Sequence, residues 1–212
     1  MLDGWKRRHF IAAALAGGYS MASAAGPAPV ILVLGDSLSA EYGLKRGEGW
    51  VALMEQRLAS QKIAARVINA SISGDTTSGG RSRLPALLAQ HKPRIVIIEL
   101  GGNGALRGLP APMTEDNLNE MVVASRKTGA KVLVVGMQVP PNYGTDYSKR
   151  FAAMFGKVAT DQKAGLVPFL LKGVGDLKDP LSMFQADRIH PKAQAHPVML
   201  DNVWPELKKL LK

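Results

Sequence analysis

Five short aliphatic segments, separated by longer stretches with helical periodicity, constrain the fold of this chain more than any other feature. Each segment is rich in Val, Ile or Leu without strict alternation of apolar and polar residues, which is typical of parallel strands covered on both faces. Repeated β-α units of this length predict an α/β fold, a three-layer α/β/α sandwich around a five-stranded parallel sheet. The predicted strands are Val30–Leu34, Ala65–Asn69, Ile95–Leu100, Val132–Gly136 and Leu166–Pro168.

Helices are predicted between these strands, where Ala, Leu and Met recur at helical spacing. Thr114 followed by Asn117 is a helix start signal. The last helix is expected to begin near Pro191, because proline suits a first turn. The predicted helices are Trp50–Ser60, Arg81–Gln90, Thr114–Lys127, Tyr147–Lys163 and a final one that ends at about Leu211.

The first 24 residues have the three parts of an export signal. Lys6–Arg8 is basic, Phe10–Gly18 is apolar, and Ala22–Ala24 offers small residues for cleavage. The apolar run is far below the ~20 residues that a membrane-spanning helix needs. We therefore expect an exported protein, periplasmic or secreted, with no integral membrane segment and with one domain over residues 25–212. A buried N-terminal helix is the alternative.

Composition narrows the possible partners and chemistries. The absence of cysteine excludes a disulfide framework, a thiolate metal site and a cysteine nucleophile. The net charge of +10 falls to +8 without the export signal, which holds three basic residues and one acidic residue. This charge is dispersed except in the terminal ELKKLLK, which could touch an anionic membrane surface or be a solvated helix face. Aromatic residues are only 6% and interrupt no basic run, which disfavours nucleic acid.

Three of the loops that follow predicted strands combine glycine with small polar residues. These are Gly35–Ser37, Ser71–Asp75 and Gly101–Gly104. Ligands of open α/β sheets bind at the carboxyl ends of the strands. Glycine there lets backbone amides approach a substrate closely, although ordinary tight turns have the same composition.

Ser37 is either a turn residue or a nucleophile, and a serine nucleophile needs a neighbouring base. Histidine is the usual base, and the sequence has four. His9 lies in the export signal, and His91 precedes the third strand at the opposite edge of the sheet. His196 has no acidic residue placed to orient it.

His190 remains, with Asp187 three residues before it. In a loop or a single turn, a carboxylate at this spacing can accept a hydrogen bond from the imidazole Nδ1, which leaves Nε2 facing a hydroxyl. A solvated surface turn is the alternative for this pair alone. Combined with Ser37 at a strand end, the spacing favours a catalytic triad.

Three donors for an oxyanion follow from the same loops. Gly74 has no side chain to block its amide, Asn103 carries an NH₂ donor, and the amide of Ser37 is the third. Such donors are usually the largest contribution to acyl-transfer catalysis.

These residues lie in four motifs, in the order GDSLS, NASISGDT, ELGGN and DRIHP. In that order they resemble the SGNH (GDSL) hydrolases, in particular the bacterial arylesterase, acyl-thioesterase and lysophospholipase branch. The resemblance implies a flavodoxin-like fold and a serine esterase that forms an acyl-enzyme. It implies Ser37 as nucleophile, His190 as base and Asp187 as its orienter, with the Ser37 amide, Gly74 and Asn103 as oxyanion hole. The family usually has Asp where this chain has Gly104.

Other functions have weaker support. Neither a dinucleotide-binding nor a P-loop glycine pattern is present, and the G-x-S-x-G elbow of ordinary α/β-hydrolases is absent. Without a His-x-x-x-His motif or a cluster of acidic ligands, we expect no metal and no cofactor. An exported protein that binds lipid or wall polymer without catalysis, and a sugar O-acetyl esterase of the same family, stay open.

The substrate is expected to be a small acyl or aryl ester. The loop beyond Asn103 and the one after the fourth strand look apolar, which suits an acyl chain or an aryl group better than a sugar. Aryl esters, short-to-medium acyl esters or thioesters, and lysophospholipids are therefore the expected substrates. The rim residues are Ala105, Leu106, Leu109, Pro110 and Val139–Pro141.

Overall fold

The five predicted strands pair in parallel, in the order β2-β1-β3-β4-β5, in a computed structural model that describes Met1 and residues 28–212. This order reverses direction at β1, so β1 and β3 flank a topological switch point. The prediction of a flavodoxin-like parallel sheet is confirmed, with every strand end within one residue of the expected position. The strands are β1 Val30–Gly35, β2 Arg66–Asn69, β3 Ile95–Glu99, β4 Lys131–Val135 and β5 Gly165–Val167.

The central strands are the core of the molecule. Every residue of β1 and β3 is buried, and so is β4 after its first residue. β2, at one edge of the sheet, keeps its first and last residues exposed. The continuous Val, Ile and Leu runs are thus those of strands covered on both faces.

Six helices complete the part of the chain that the structure describes. α1 packs against α6, whereas α4 packs against both α2 and α5, which gives the two outer layers of the sandwich. None of the helices in residues 28–212 has the length and apolarity to cross a bilayer. The predicted export signal lies outside the described residues. The helices are α1 Trp50–Ser60, α2 Thr77–His91, α3 Gly102–Leu106, α4 Ala111–Lys127, α5 Thr145–Asp161 and α6 His196–Leu211.

Three helices begin three or more residues away from the predicted position. α2 begins four residues early, because the Thr76 side chain caps it by accepting a hydrogen bond from the Gly79 amide at 3.3 Å. α4 begins after Pro110, so that Thr114 lies inside it and is buried. α6 begins at His196 rather than near Pro191, because Pro191 pairs with Phe184 in an isolated antiparallel bridge.

One short helix, α3, was not predicted. It spans only five residues and begins with glycine, so it has neither the length nor the apolar spacing that identifies a helix in sequence.

The space around two glycines shows how closely neighbouring elements pack. A Cβ on Gly136, just after β4, would lie 2.4 Å from the carbonyl oxygen of Pro168, whereas a Cβ on Gly156 in α5 would only touch Leu166 at 3.7 Å. We expect Gly136→Ala to lower the free energy of unfolding by about 1–3 kcal/mol, as overpacking does. Gly156→Ala should raise it by about 0.5–1 kcal/mol, since glycine weakens a helix interior. Urea denaturation of both variants measures the difference, and equal destabilisation would contradict this account.

Candidate active site

Ser37 lies in a tight turn directly after β1. The Asp36 carbonyl accepts hydrogen bonds from the amides of Ser39 (3.2 Å) and Ala40 (2.9 Å), so the chain coils as soon as the strand ends. This turn leaves Ser37 half-buried at the carboxyl edge of the sheet, with its Oγ 2.9 Å from Nε2 of His190. The two side chains are 153 residues apart in sequence.

Asp187 fixes the other side of the His190 ring. Its Oδ2 lies 2.7 Å from the imidazole Nδ1, and its Oδ1 accepts from the amides of Ile189 (2.9 Å) and His190 (3.0 Å). The His190 amide, more than any other group, holds the pKa of Asp187 down at about 2. Because Asp187 is then an ionised acceptor, Nδ1 carries the ring proton and Nε2 is free to accept from Ser37.

The loop that carries His190 is tied to the turn that carries Ser37. The Gln185 side chain donates to the carbonyl of Tyr42 (2.9 Å) and to that of Pro191 (3.0 Å). The Tyr42 ring lies against the imidazole of His190, with ring centroids 4.2 Å apart. Sequence reasoning missed both Gln185 and Tyr42, because neither belongs to a local pattern.

Gly74 lies in the loop after β2 with a φ of +80°, in the left-handed region that favours glycine. Arg83 of α2 holds this loop by binding Asp75 Oδ2 at 2.8 Å and by donating to the carbonyl of Ala70. Arg107, after α3, donates to the carbonyl of Gly74 at 2.9 Å. The Gly74 loop is thereby linked to the Asn103 segment.

Two backbone amides at this edge are available to a ligand. In the hydrogen bonds of residues 28–212, neither the Ser37 amide nor the Gly74 amide donates to a protein acceptor. Both residues are only partly buried. An oxyanion beside Ser37 could therefore find donors without breaking a protein hydrogen bond.

Asn103 is anchored by a carboxylate. Its Nδ2 donates to Oδ2 of Asp36 at 2.9 Å, across 67 residues of sequence. The other oxygen of Asp36 accepts from the amide of Leu38 at 3.0 Å. Since an amide NH₂ has two hydrogens, the second one of Asn103 remains for a ligand.

A second carboxyl group, that of Glu99, is buried beneath the nucleophile turn. Glu99 ends β3, and its Oε2 lies 2.7 Å from the Ser39 hydroxyl and 3.4 Å from the Asp36 amide. Burial, reinforced by the charge of Asp36, raises the pKa of Glu99 well above its usual range. Burial also raises the pKa of Asp36, to about 6. Glu99 therefore keeps its proton to a higher pH than an ordinary glutamic acid does, whereas Asp36 is ionised above about pH 6.

Of the five residues that the sequence singled out, the structure brings Ser37, His190 and Asp187 into direct contact. Asn103 contacts Asp36, the residue before Ser37, and Gly74 is linked to the Asn103 segment through Arg107. It does not support the whole predicted rim, because Ala105 and Val139 are buried and pack in the core. Asp36 and Glu99 were missed, although a carboxylate beside the serine and another ending an apolar strand were visible signals.

Gly104, at the position where the family usually has Asp, lies in an ordinary helical conformation. Gly104 lies inside α3 without a positive φ, so no special backbone conformation requires glycine there. A Cβ would meet the Thr114 hydroxyl at 3.4 Å and Leu109 at 3.8 Å, and the neighbours thus leave room for a small side chain.

The arrangement is suited to acyl transfer. A hydroxyl, an imidazole and a carboxylate form one hydrogen-bonded series. The loops at the same edge of the sheet carry amides that donate to no protein acceptor and could bind an oxyanion. In residues 28–212 no group of three His, Cys, Asp or Glu side chains could hold a metal ion.

Residues 33–198 match the GDSL-like lipase/acylhydrolase family. The chain is 53% identical to the esterase TesA of Pseudomonas aeruginosa over 184 residues, 87% of this chain and 90% of that protein. It is 40% identical to the thioesterase 1/protease 1/lysophospholipase L1 of Escherichia coli K12 over 187 residues, 88% of this chain and 87% of that protein. The crystal structure of the psychrotrophic esterase EstA from Pseudoalteromonas sp., inhibited by monoethylphosphonate, is similar with a TM-score of 0.80. It shares 39% identity over 86% of this chain and 98% of that one.

Proposed function

Since this chain belongs to the GDSL-like lipase/acylhydrolase family and is a serine ester hydrolase, we propose that Ser37 is its nucleophile. His190 is the general base, and Asp187 orients it. One observation carries the proposal: the unbroken series of hydrogen bonds from Asp187 Oδ2 through the imidazole to Ser37 Oγ, at 2.7 and 2.9 Å.

Acylation begins when Ser37 Oγ attacks the ester carbonyl carbon while its proton passes to Nε2 of His190. The carbonyl oxygen becomes an oxyanion, which the amides of Ser37 and Gly74 and the free N–H of Asn103 stabilise. Asp187 stabilises the imidazolium that forms. The intermediate then collapses to an acyl-Ser37 as Nε2 returns the proton to the departing alcohol or thiol.

Deacylation repeats these steps with water as the nucleophile. His190 takes a proton from water, the hydroxide adds to the acyl carbon, and the same donors hold the second oxyanion. Collapse releases the carboxylic acid and restores the Ser37 hydroxyl. The base must be neutral for both half-reactions, so activity should be highest at neutral to alkaline pH.

Ser37→Ala and His190→Ala should each lower kcat by about 10⁴-fold or more, because neither half-reaction can proceed without them. Asp187→Asn should lower kcat by about 10²–10⁴-fold, because the imidazole loses its orienting acceptor. Hydrolysis of p-nitrophenyl acetate measures all three. His91→Ala, at the opposite edge of the sheet, is the matched control and should keep wild-type activity. A folded Ser37→Ala enzyme with most of its activity would refute the assignment.

We propose carboxylic esters and thioesters with apolar acyl or aryl groups as substrates. Each loop that carries one of the proposed catalytic groups also exposes a large apolar side chain. Tyr42 follows Ser37, Ile72 precedes Gly74, Leu106 follows Asn103, and Ile189 precedes His190; each is 45–54% exposed. Exposed apolar groups gathered around a polar centre are a binding surface for apolar ligands.

Leu106→Ser should lower kcat/KM for p-nitrophenyl octanoate about threefold to tenfold relative to the acetate, since contact with a CH₂ group or two contributes about 1 kcal/mol. Leu177→Ser, an exposed leucine outside these four loops, should leave that ratio unchanged. Assays of acyl-CoA, lysophospholipid and acetylated xylan distinguish an enzyme for apolar acyl esters and thioesters from a sugar O-acetyl esterase. Preference for acetylated xylan would favour a sugar O-acetyl esterase.

We also propose export to the periplasm or the medium, on the basis of the basic, apolar and small-residue parts of the first 24 residues. The mature protein should begin near Ala25. Intact-mass spectrometry of the enzyme from the native host measures this. A cytosolic protein that retains Lys6–Arg8 would contradict it.

A further inference from the structure

Two carboxyl groups are buried beneath the nucleophile turn, and the proposed mechanism uses neither. Asp36 is 3% exposed and directly precedes Ser37, and Glu99 is equally buried at the end of β3. Burial of an ionised carboxylate costs free energy. A residue kept at such a cost often serves function rather than stability.

We infer that Asp36 is a positioning residue that sets the orientation of the Asn103 amide and so aims its second N–H at the oxyanion. The inference rests on the proposed role of Asn103 as an oxyanion donor. It stands on the contact between Asp36 Oδ2 and Asn103 Nδ2 at 2.9 Å, and on the amide of Leu38, which holds the other carboxylate oxygen at 3.0 Å.

An ionised carboxylate can only accept hydrogen bonds, and this decides which end of the Asn103 side chain faces Asp36. If the Asn103 amide turned over, its carbonyl oxygen would face the carboxylate and the two would repel each other. Nδ2 is therefore fixed against Asp36, and one of its hydrogens points away from Asp36. A neutral partner at position 36 would remove this preference, because it could donate to Asn103 Oδ1 as well.

Glu99 allows Asp36 to remain ionised. Two adjacent buried carboxyl groups resist ionising together. Burial and the charge of Asp36 raise the pKa of Glu99 well above its usual range, so Glu99 keeps its proton to a higher pH than an ordinary glutamic acid does. The other ionisable groups that act on Asp36 are His190, which favours its charge, and Asp75, which opposes it. The carboxylate that Asn103 contacts is thus also one whose charge His190 favours.

The test compares Asp36→Asn, Asn103→Ala and the double variant. Asparagine at position 36 has the shape of aspartate, and its side-chain oxygen can still accept a hydrogen bond from the Leu38 amide. Because its NH₂ group can donate to Asn103 Oδ1, it does not fix the orientation of Asn103. A p-nitrophenyl alkylphosphonate, which releases one p-nitrophenolate as it phosphonylates Ser37, counts the active molecules in each preparation. The kcat values are then expressed per titrated Ser37, so misfolded protein does not count.

We expect each single variant to lower kcat about 10²–10³-fold, the cost of one oxyanion donor, with KM within about threefold. The double variant should be no worse than either single one, because both remove the same interaction. Asp116→Asn on α4 removes an equal charge from an exposed site and should leave kcat unchanged.

Thermal stability separates positioning from a structural role. The pKa of Asp36 is about 6 in the folded protein, above its ordinary value of 3.8. Between these two pH values Asp36 ionises more readily in the unfolded chain than in the folded protein, so the free energy of unfolding of the wild type falls as pH rises. The Tm of Asp36→Asn relative to wild type should therefore rise between pH 4 and pH 6. At pH 8 it should equal or exceed that of the wild type.

Different results overturn different claims. If Asn103→Ala is impaired but Asp36→Asn is not, the inference fails while the proposed function stands. Costs that multiply in the double variant also overturn it, because Asp36 would then act independently of Asn103. If Asn103→Ala keeps kcat within threefold, the oxyanion role of Asn103 fails and the inference with it. If neither Asp36→Asn nor Asp36→Ala yields titratable Ser37, Asp36 is structural and the inference is overturned.

Discussion

The close approach of β1 and β3 at their carboxyl ends is the constraint on which the rest of the site depends. Their register sets Gly35 opposite Glu99. A Cβ on Gly35 would lie 2.8 Å from the Ser39 hydroxyl and 2.9 Å from Glu99 Oε2, so a side chain at Gly35 would force both groups apart. With glycine there, β1 can turn over the end of β3. Asp36 and Asn103, which follow these strands, then form a hydrogen bond at the switch point where open α/β sheets bind ligands.

The sequence predicted those parts of the structure that depend on local pattern or on topology. Continuous apolar runs identified the five strands, and a parallel sheet then brought Gly74 and Asn103 to the same edge as Ser37. The three-residue spacing identified Asp187 and His190 because their contact is local. The bond between Asp36 and Asn103 spans 67 residues and depends on tertiary packing, so no local pattern marks it.

The polar groups of the site lie among apolar side chains, and these surroundings affect the strength of the electrostatic interactions that the polar groups make. Tyr42 covers one face of the His190 ring, and Ile72 and Leu106 border the Gly74 and Asn103 loops. An acyl or aryl group bound there would displace water from around Ser37. Electrostatic interactions strengthen when water is excluded. The same apolar side chains would therefore both select the substrate and strengthen the donors that act on its oxyanion.

Asp187 is exposed and Asp36 is buried, yet in the proposed mechanism each carboxylate orients a neighbouring side chain. Backbone amides, that of His190 foremost, lower the pKa of Asp187 to about 2; burial raises that of Asp36 to about 6. Each ionised carboxylate accepts a hydrogen bond from a neutral group that could otherwise turn over, the imidazole of His190 or the amide of Asn103. The uncharged base and the uncharged oxyanion donor thus each owe their orientation to a neighbouring negative charge. Protonating Asp36 near pH 6 would release Asn103, whereas Asp187 would still hold His190.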